Sequence, residues 1–395
     1  MALWDKGYEV DPDVLAFSAG EEYLLDQRLV PYDCRASIAH ATMLASIGAL
    51  DERERASLVD GLKEIIRLHR EGEFTIRPEQ EDCHTAIEEW LTASIGEAGK
   101  KIHIGRSRND QVLTAIRLYE KEALTEVRGL LDRYRSALLR RSEANTAIPM
   151  PGYTHMRRAM PTTVGTWLSA FAESVDDDRT VLDAVLVLVD RCPLGTGAGY
   201  GIPVIAIDRQ MTADLMGFSA VLENPIHAHM TRGKIEAAIV SCLSQILLGL
   251  NRLATDLLLF SMPELGFVRL PRELCTGSSI MPQKRNPDVL ELVRGYYHVV
   301  VAEEFKVKSL VGNLMTGYQR DLGLTKEPVF RSLDTTMACL RMMTRVTDRL
   351  DIDATACAAA MSEELYATEE AYRLVEDGVP FRDAYRRVGE RYTDR

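Results

Sequence analysis

The stretch Thr276-Gly277-Ser278-Ser279-Ile280-Met281-Pro282-Gln283-Lys284-Arg285-Asn286-Pro287 gathers the chain's densest set of reactive side chains. A Gly-Ser-Ser turn exposes backbone N–H groups and two hydroxyls, and Lys284 and Asn286 follow within reach of the same bound group. An amide-rich, cationic loop of this kind suits closure over a carboxylate; the plain alternative is a solvated turn bounded by prolines. A second set, His103-Ile104-Gly105-Arg106-Ser107-Arg108-Asn109-Asp110, stands just before a long helical pattern. The first turn of a helix carries unpaired N–H groups and the positive end of its dipole, so Ser107, Arg108 and Asn109 there make a carboxylate cradle. Ordinary capping by Ser107 or Asp110 accounts for part of the same pattern. The third set is Pro151-Gly152-Tyr153-Thr154-His155-Met156-Arg157-Arg158, where the imidazole of His155 is the side-chain type suited to proton transfer near neutrality. A single loop histidine is more often structural. His84, in Glu81-Asp82-Cys83-His84, has the stronger structural reading because it begins a helix-like run.

Other patterns carry less. The glycines of Gly195-Thr196-Gly197-Ala198-Gly199-Tyr200-Gly201 have the wrong spacing for a dinucleotide loop, and no strand precedes them. His227-Ala228-His229 lacks a third ligand nearby, so no metal and no cofactor is expected. Seven cysteines are scattered without a C-x-x-C pair, as expected of reduced, mostly buried thiols. Met1 to Lys6 shows no signal-peptide pattern, which points to a cytoplasmic chain. Lys and Arg number 47 against 59 Asp and Glu, a net charge of −12 over 395 residues. That balance argues against general nucleic-acid or membrane-surface binding and leaves room for a local basic pocket for a small anion.

These sets need rigid elements to hold them. No proline falls between Pro78 and Pro149, Pro161 and Pro193, or Pro225 and Pro263, and apolar residues recur at helical spacing through each window. Val112, Ile116, Leu124, Val127, Leu131 and Leu138 form one stripe; Ile235, Ile239, Leu243, Leu250 and Leu257 form another. Val240, Leu248, Leu258 and Leu259 lie off the second stripe, which predicts a helix with neighbours on several sides. The most apolar stretch, Ile246 to Phe260, is broken by Asn251, Arg252 and Asp256, so no membrane span is expected. Val204 to Ile207 is the best strand-like run. The chain therefore reads as all-α, with very long helices packed in a bundle or an oligomer of bundles. Three parts follow: an N-terminal helical segment over 1–105, a long-helix domain over 106–350, and a C-terminal helical segment over 351–395. Ile148–Pro161, Cys192–Pro203 and Glu273–Pro287 read as loops between them.

Taken together, three segments resemble the signature regions of the fumarase/aspartase superfamily: His103 to Val112, Pro151 to His155, and Gly277 to Asp288. Further similarity runs through Asp33–Ala41, Glu81–Glu88, Pro193–Arg209, Gly317–Glu327 and Val379–Gly389. The resemblance implies an all-α fold and a homotetramer with a twenty-helix core, each active site shared by three subunits. It also implies β-elimination of an amine from an N-substituted aspartate, releasing fumarate without cofactor, with argininosuccinate the best single substrate. On this resemblance Ser278 is the base, assisted by Lys284 and loop amides, and His155 is the general acid or its organiser. Lys284 and Asn286 would hold the reacting carboxylate, and Ser107, Arg108, Asn109 and Thr154 the succinyl half. Asp26, Tyr318, Arg320 and Lys326, with His84 nearby, would meet the amine side, Asp26 facing its positive end.

The match has departures. Ile104 replaces a usual Thr or Ser, Arg157 a usual Gln, and Gly323 a Gln that helps bind the amine half. The Gly199–Gly201 segment differs from the usual Ala-rich one, and many relatives continue beyond Gly389. The fumarate-forming half is therefore expected to be intact and the leaving-group half altered. The alternatives are a lyase for a different N-succinyl amine and a catalytically silent structural homologue; an adenylosuccinate lyase fits the Ser-Arg-Asn region less well.

Overall fold

The computed structural model describes residues 11–392, so the Met1–Lys6 reading lies outside the described residues. Five long helices dominate: Arg108–Ala144, Val164–Val189, Lys234–Phe260, Asp288–Leu310 and Lys326–Arg349. The first has 37 residues, about 55 Å at 1.5 Å per residue. Both apolar stripes read from the sequence are buried within these helices. Off-stripe Val240 is buried as well, while Leu248, Leu258 and Leu259 are half-buried. Pro225–Phe260 is long and apolar enough to cross a membrane, but 61% of its apolar window is packed inside the protein, as in a core helix. Among the described residues, strands are confined to four two-stranded ribbons.

Contacts divide the chain into two compact units, the long helices contributing to both. The first comprises 1–126, 181–242 and 301–333. Its N-terminal helices Val30–Ser46, Glu52–Glu71 and Cys83–Ile95 bury Met43, Leu44, Leu58, Leu62, Ile65 and Leu91. Glu52–Glu71 begins with a full capping box, Asp51 accepting from Glu54 N–H and Glu54 reaching back, a device that satisfies two otherwise unpaired donors. The second unit comprises 127–180, 243–300 and 334–395. In it Phe260 packs edge-to-face with Trp167 and tilted against Phe267, with centroids 5.3 and 5.4 Å apart, and Trp167 donates to Asp256 at 3.0 Å.

Two local expectations are corrected. Val204 to Ile207 forms no strand: Val204 is fully exposed with φ 71°, so its β-branched side chains pack on no sheet. The longest ribbon lies instead in the stretch read as a loop, with Pro149–Thr154 antiparallel to Arg157–Thr163. Its prolines and Gly152 disguise the strand pattern. What holds it is packing: Met150 is buried and the Tyr153 ring lies 6.2 Å from Phe260.

Candidate active site

The first unit contains a cavity of roughly 330 Å³ whose walls include Ser18, Glu22, Glu81, Asp82, Arg108, Asn109, Tyr318 and Arg320. Its floor is the start of the Arg108–Ala144 helix. Asp110 fixes that helix end: its carboxylate accepts the N–H of Ser107 at 2.9 Å, Gly195 at 3.0 Å and Gly197 at 2.9 Å. Gly195 and Gly197 both have positive φ, which turns successive N–H groups onto one acceptor. A Cβ on Gly197 would come within 2.6 Å of Ile202. The glycine-rich segment thus commits the N–H groups of Gly195 and Gly197 to anchoring the start of that helix. Burial pushes the Asp110 carboxyl up to about 6 despite those three donors.

Arg108 pairs with Asp82 and, at 3.0 Å, with Glu81. Burial works against its charge, but these acids hold its pKa above the ordinary value. Ser107 Oγ accepts from Asn109 N–H at 3.3 Å, the capping role that competed with ligand binding in the sequence. His84 is buried against the Asp33 carboxylate, which also accepts from Gln111 and Ser37. Burial disfavours charge on His84, yet Asp33 outweighs it and raises the pKa.

On the opposite wall Arg320 Nη2 lies 2.7 Å from Glu22 Oε2 and donates to Ser18 O at 2.5 Å. Lys326, 1% exposed, lies 2.6 Å from both Glu22 and the fully buried Asp26. Asp26 and Lys326 thus back the cavity wall, while Glu22 stands in it. Burial opposes ionisation of Glu22, but Lys326 and Arg320 bring its carboxyl down to about 2. Tyr318 carries the Arg232 guanidinium 5.7 Å from its ring centre. Asp26, Cys83 and His84 bring potential metal ligands within 4.8 Å of one another. The Asp26 carboxylate is committed to Lys326 and the His84 imidazole to Asp33.

The remaining sequence-selected residues belong to the second unit. The Thr276–Gly277 and Arg285–Asn286 ribbon closes the loop that carries Ser278, and Asn286 donates to Gly277 O at 3.3 Å. Ser278 Oγ accepts the N–H of Met281 at 3.1 Å and of Ile280 at 3.4 Å. Two amide donors aimed at one oxygen favour its anion. Lys284 is exposed on the same loop. Thr154 and His155 are exposed at the ribbon tip, where His155 and Met156 have φ 51° and 61°. Positive φ at both central positions is the type I′ turn, normally built with Asn-Gly, so this turn is strained.

The sequence reading missed Glu22, Glu81, Asp82 and Ser18 as lining residues. One signal was available: Glu22 and Asp26 stand four apart, on one face of a helical segment.

A mostly helical scaffold of long helices, with a polar cavity at one helix start and a hydroxyl-bearing loop, is the architecture of the lyase class that the comparisons identify. The lyase family profile matches residues 7–302, and the chain belongs to that family. It is 48% identical over 99% of its length to the argininosuccinate lyase of Thermotoga neapolitana, covering 98% of that protein. It is likewise 48% identical to that of Sorangium cellulosum, over 98% of this chain and 89% of the other. Among solved structures, EDDS lyase in complex with formate superposes with TM-score 0.82 at 24% identity, over 97% of this chain and 76% of that one. A Brucella melitensis fumarate lyase:delta crystallin gives 0.79 at 21%, over 93% and 85%. These structures share the fold.

Proposed function

We propose that this chain cleaves argininosuccinate to arginine and fumarate. The observation that carries the reading is the Ser278 oxygen held by two backbone N–H groups on a loop of the family's signature type. The reaction removes a proton from the carbon beside a carboxylate, and the resulting electron pair passes through an aci-carboxylate to expel the C–N nitrogen. A serine hydroxyl is too weak an acid to serve unaided. The amides of Ile280 and Met281, with the Lys284 ammonium, lower the cost of the alkoxide. Lys284 and Asn286 hold the charged carboxylate of the intermediate, and each such donor contributes about 2.7–4 kcal/mol at the transition state. Ser107, Arg108, Asn109 and Thr154 grip the succinyl group. His155 returns a proton to the departing nitrogen or orders the group that does.

We further propose a homotetramer in which the Ser278 loop and His155 turn of one chain complete the Arg108 cavity of another. Ile280 at 82%, Met156 at 72% and Phe305 at 74% are apolar side chains left exposed in the single chain, which supports burial between copies. Free thiols, six of them buried, fit a reducing cytoplasm.

The test is fumarate release followed by absorbance. Ser278→Ala should lower kcat by about 10³-fold or more while melting within about 1 °C of the parent, because it removes only two bonds on a solvated loop. Wild-type protein that releases no fumarate from argininosuccinate would overturn the proposal. Mixed oligomers of Ser278→Ala and Arg108→Ala chains should regain activity that neither has alone.

A further inference from the structure

Resting on the lyase reading, we infer that Glu22 is the specificity-determining residue that recognises positive charge on the leaving amine, in the place of a side chain at position 323. Three observations carry this. First, Asp26 is fully buried with Lys326, so the carboxylate presented to the cavity on that side is that of Glu22, whose side chain is 13% exposed. Second, the acids lining the cavity are Glu22, Glu81 and Asp82 against Arg108 and Arg320, leaving one negative charge in excess. That excess favours positive charge on the ligand half that meets this wall, and an ionised acceptor discriminates charge more strongly than a neutral amide. Third, Gly323 leaves open the sector that Glu22 fills. A Cβ built on Gly323 would meet only Glu22 oxygens, at 3.7 and 4.0 Å.

Arg320 has a second acceptor, Ser18 O at 2.5 Å, so its guanidinium stays held when a ligand cation shares Glu22. Lys326 stays neutralised by Asp26. The carboxylate is therefore preorganised by one cation on each oxygen, and each oxygen keeps lone-pair capacity for a further donor.

The cationic nitrogen has two sources in an arginine leaving group, the guanidinium and the α-ammonium, and the test separates them. Calorimetric titrations would compare L-arginine with L-citrulline, which lacks the guanidinium charge, and with Nα-acetyl-L-arginine, which lacks the ammonium charge. Wild-type protein should bind arginine at least about tenfold tighter than one of the two analogues. In Glu22→Gln that preference should collapse to about threefold or less, with fumarate affinity held within about twofold, and Glu22→Asp should recover part of it. Equal binding of arginine and both analogues by the wild-type protein, which needs no variant, overturns the inference. So does a preference that persists in Glu22→Gln, or a parallel fall in fumarate affinity, since a scaffolding role would weaken both halves together. Intact charge discrimination without fumarate release from argininosuccinate would sink the lyase reading and leave Glu22 as the cation-binding group.

Discussion

Lys326→Met separates a substrate-binding lysine from one that holds the site together. The side chain is 1% exposed, and its Nζ lies 2.6 Å from Asp26 and 2.6 Å from Glu22. Methionine keeps most of the stem's packing and removes the charge, leaving Asp26, itself fully buried, against an apolar thioether. Deleting one partner of a buried ion pair costs about 3–5 kcal/mol, because the surviving charge stays desolvated. Unfolding entropy of about 2.1 cal/mol/K per residue gives roughly 0.8 kcal/mol/K for a chain of this length. The melting temperature should therefore fall by about 4–6 °C if the chain melts as one unit, and by more if the half carrying Lys326 melts alone. Adding Asp26→Asn to Lys326→Met should return much of the loss, since no buried charge is then orphaned. Differential scanning calorimetry of the single and double variants reads both effects. A Lys326→Met protein that loses turnover but melts within about 1 °C of the parent would refute the reasoning, because such a lysine would bind substrate and support nothing.

Three further outcomes follow from the same geometry. Met156→Gly, and to a smaller degree His155→Asn, should raise stability by about 0.5–1 kcal/mol in denaturant melts by relieving positive φ, while His155→Asn lowers kcat. Glu120 is buried with Arg117 and Glu236, and burial and Glu236 push its carboxyl up to about 8 against the partial relief from Arg117. A folded pKa above the unfolded 4.5 means stability is fully present below the unfolded value and declines as pH rises towards about 8; Glu120→Gln should flatten that decline. Glu22 has the opposite sign: its carboxyl is lowered from 4.5 to about 2, so its contribution, up to about 3 kcal/mol, is present above the unfolded pKa and is lost as pH falls towards 2. Acid titration of stability in Glu22→Gln should lack that limb.

The helical scaffold was legible because its signal is periodic and long. Stripes such as Val112 to Leu138 extend over many turns, and proline-free windows leave few other ways to bury them. The ribbon carrying His155 was not legible, because its strands contain Pro149, Pro151, Gly152 and Pro161. Proline and glycine count against strands in any local reading. What supports this ribbon is the burial of Met150 and the fit of Tyr153 onto Phe260, at the end of a helix more than a hundred residues later in sequence.

The candidate site divides along the same line. Ser107, Arg108, Asn109 and Ser278 stand out because their setting is local: a helix start and a tight turn present N–H groups wherever they occur. Carboxylates have no such signature. Glu22, Glu81 and Asp82 look like three of many surface acids until Arg320 and Lys326 fold against Glu22, and Arg108 against Glu81 and Asp82. The family resemblance pointed to Asp26 for the leaving group's charge, and the fold buries Asp26 against Lys326 with Glu22 in the cavity wall. That placement has a physical reason. A buried ammonium such as Lys326 needs a carboxylate beside it, so Asp26, which satisfies that need while fully buried, is less accessible to a ligand than Glu22 one helical turn away, and the inferred recognition rests on that difference.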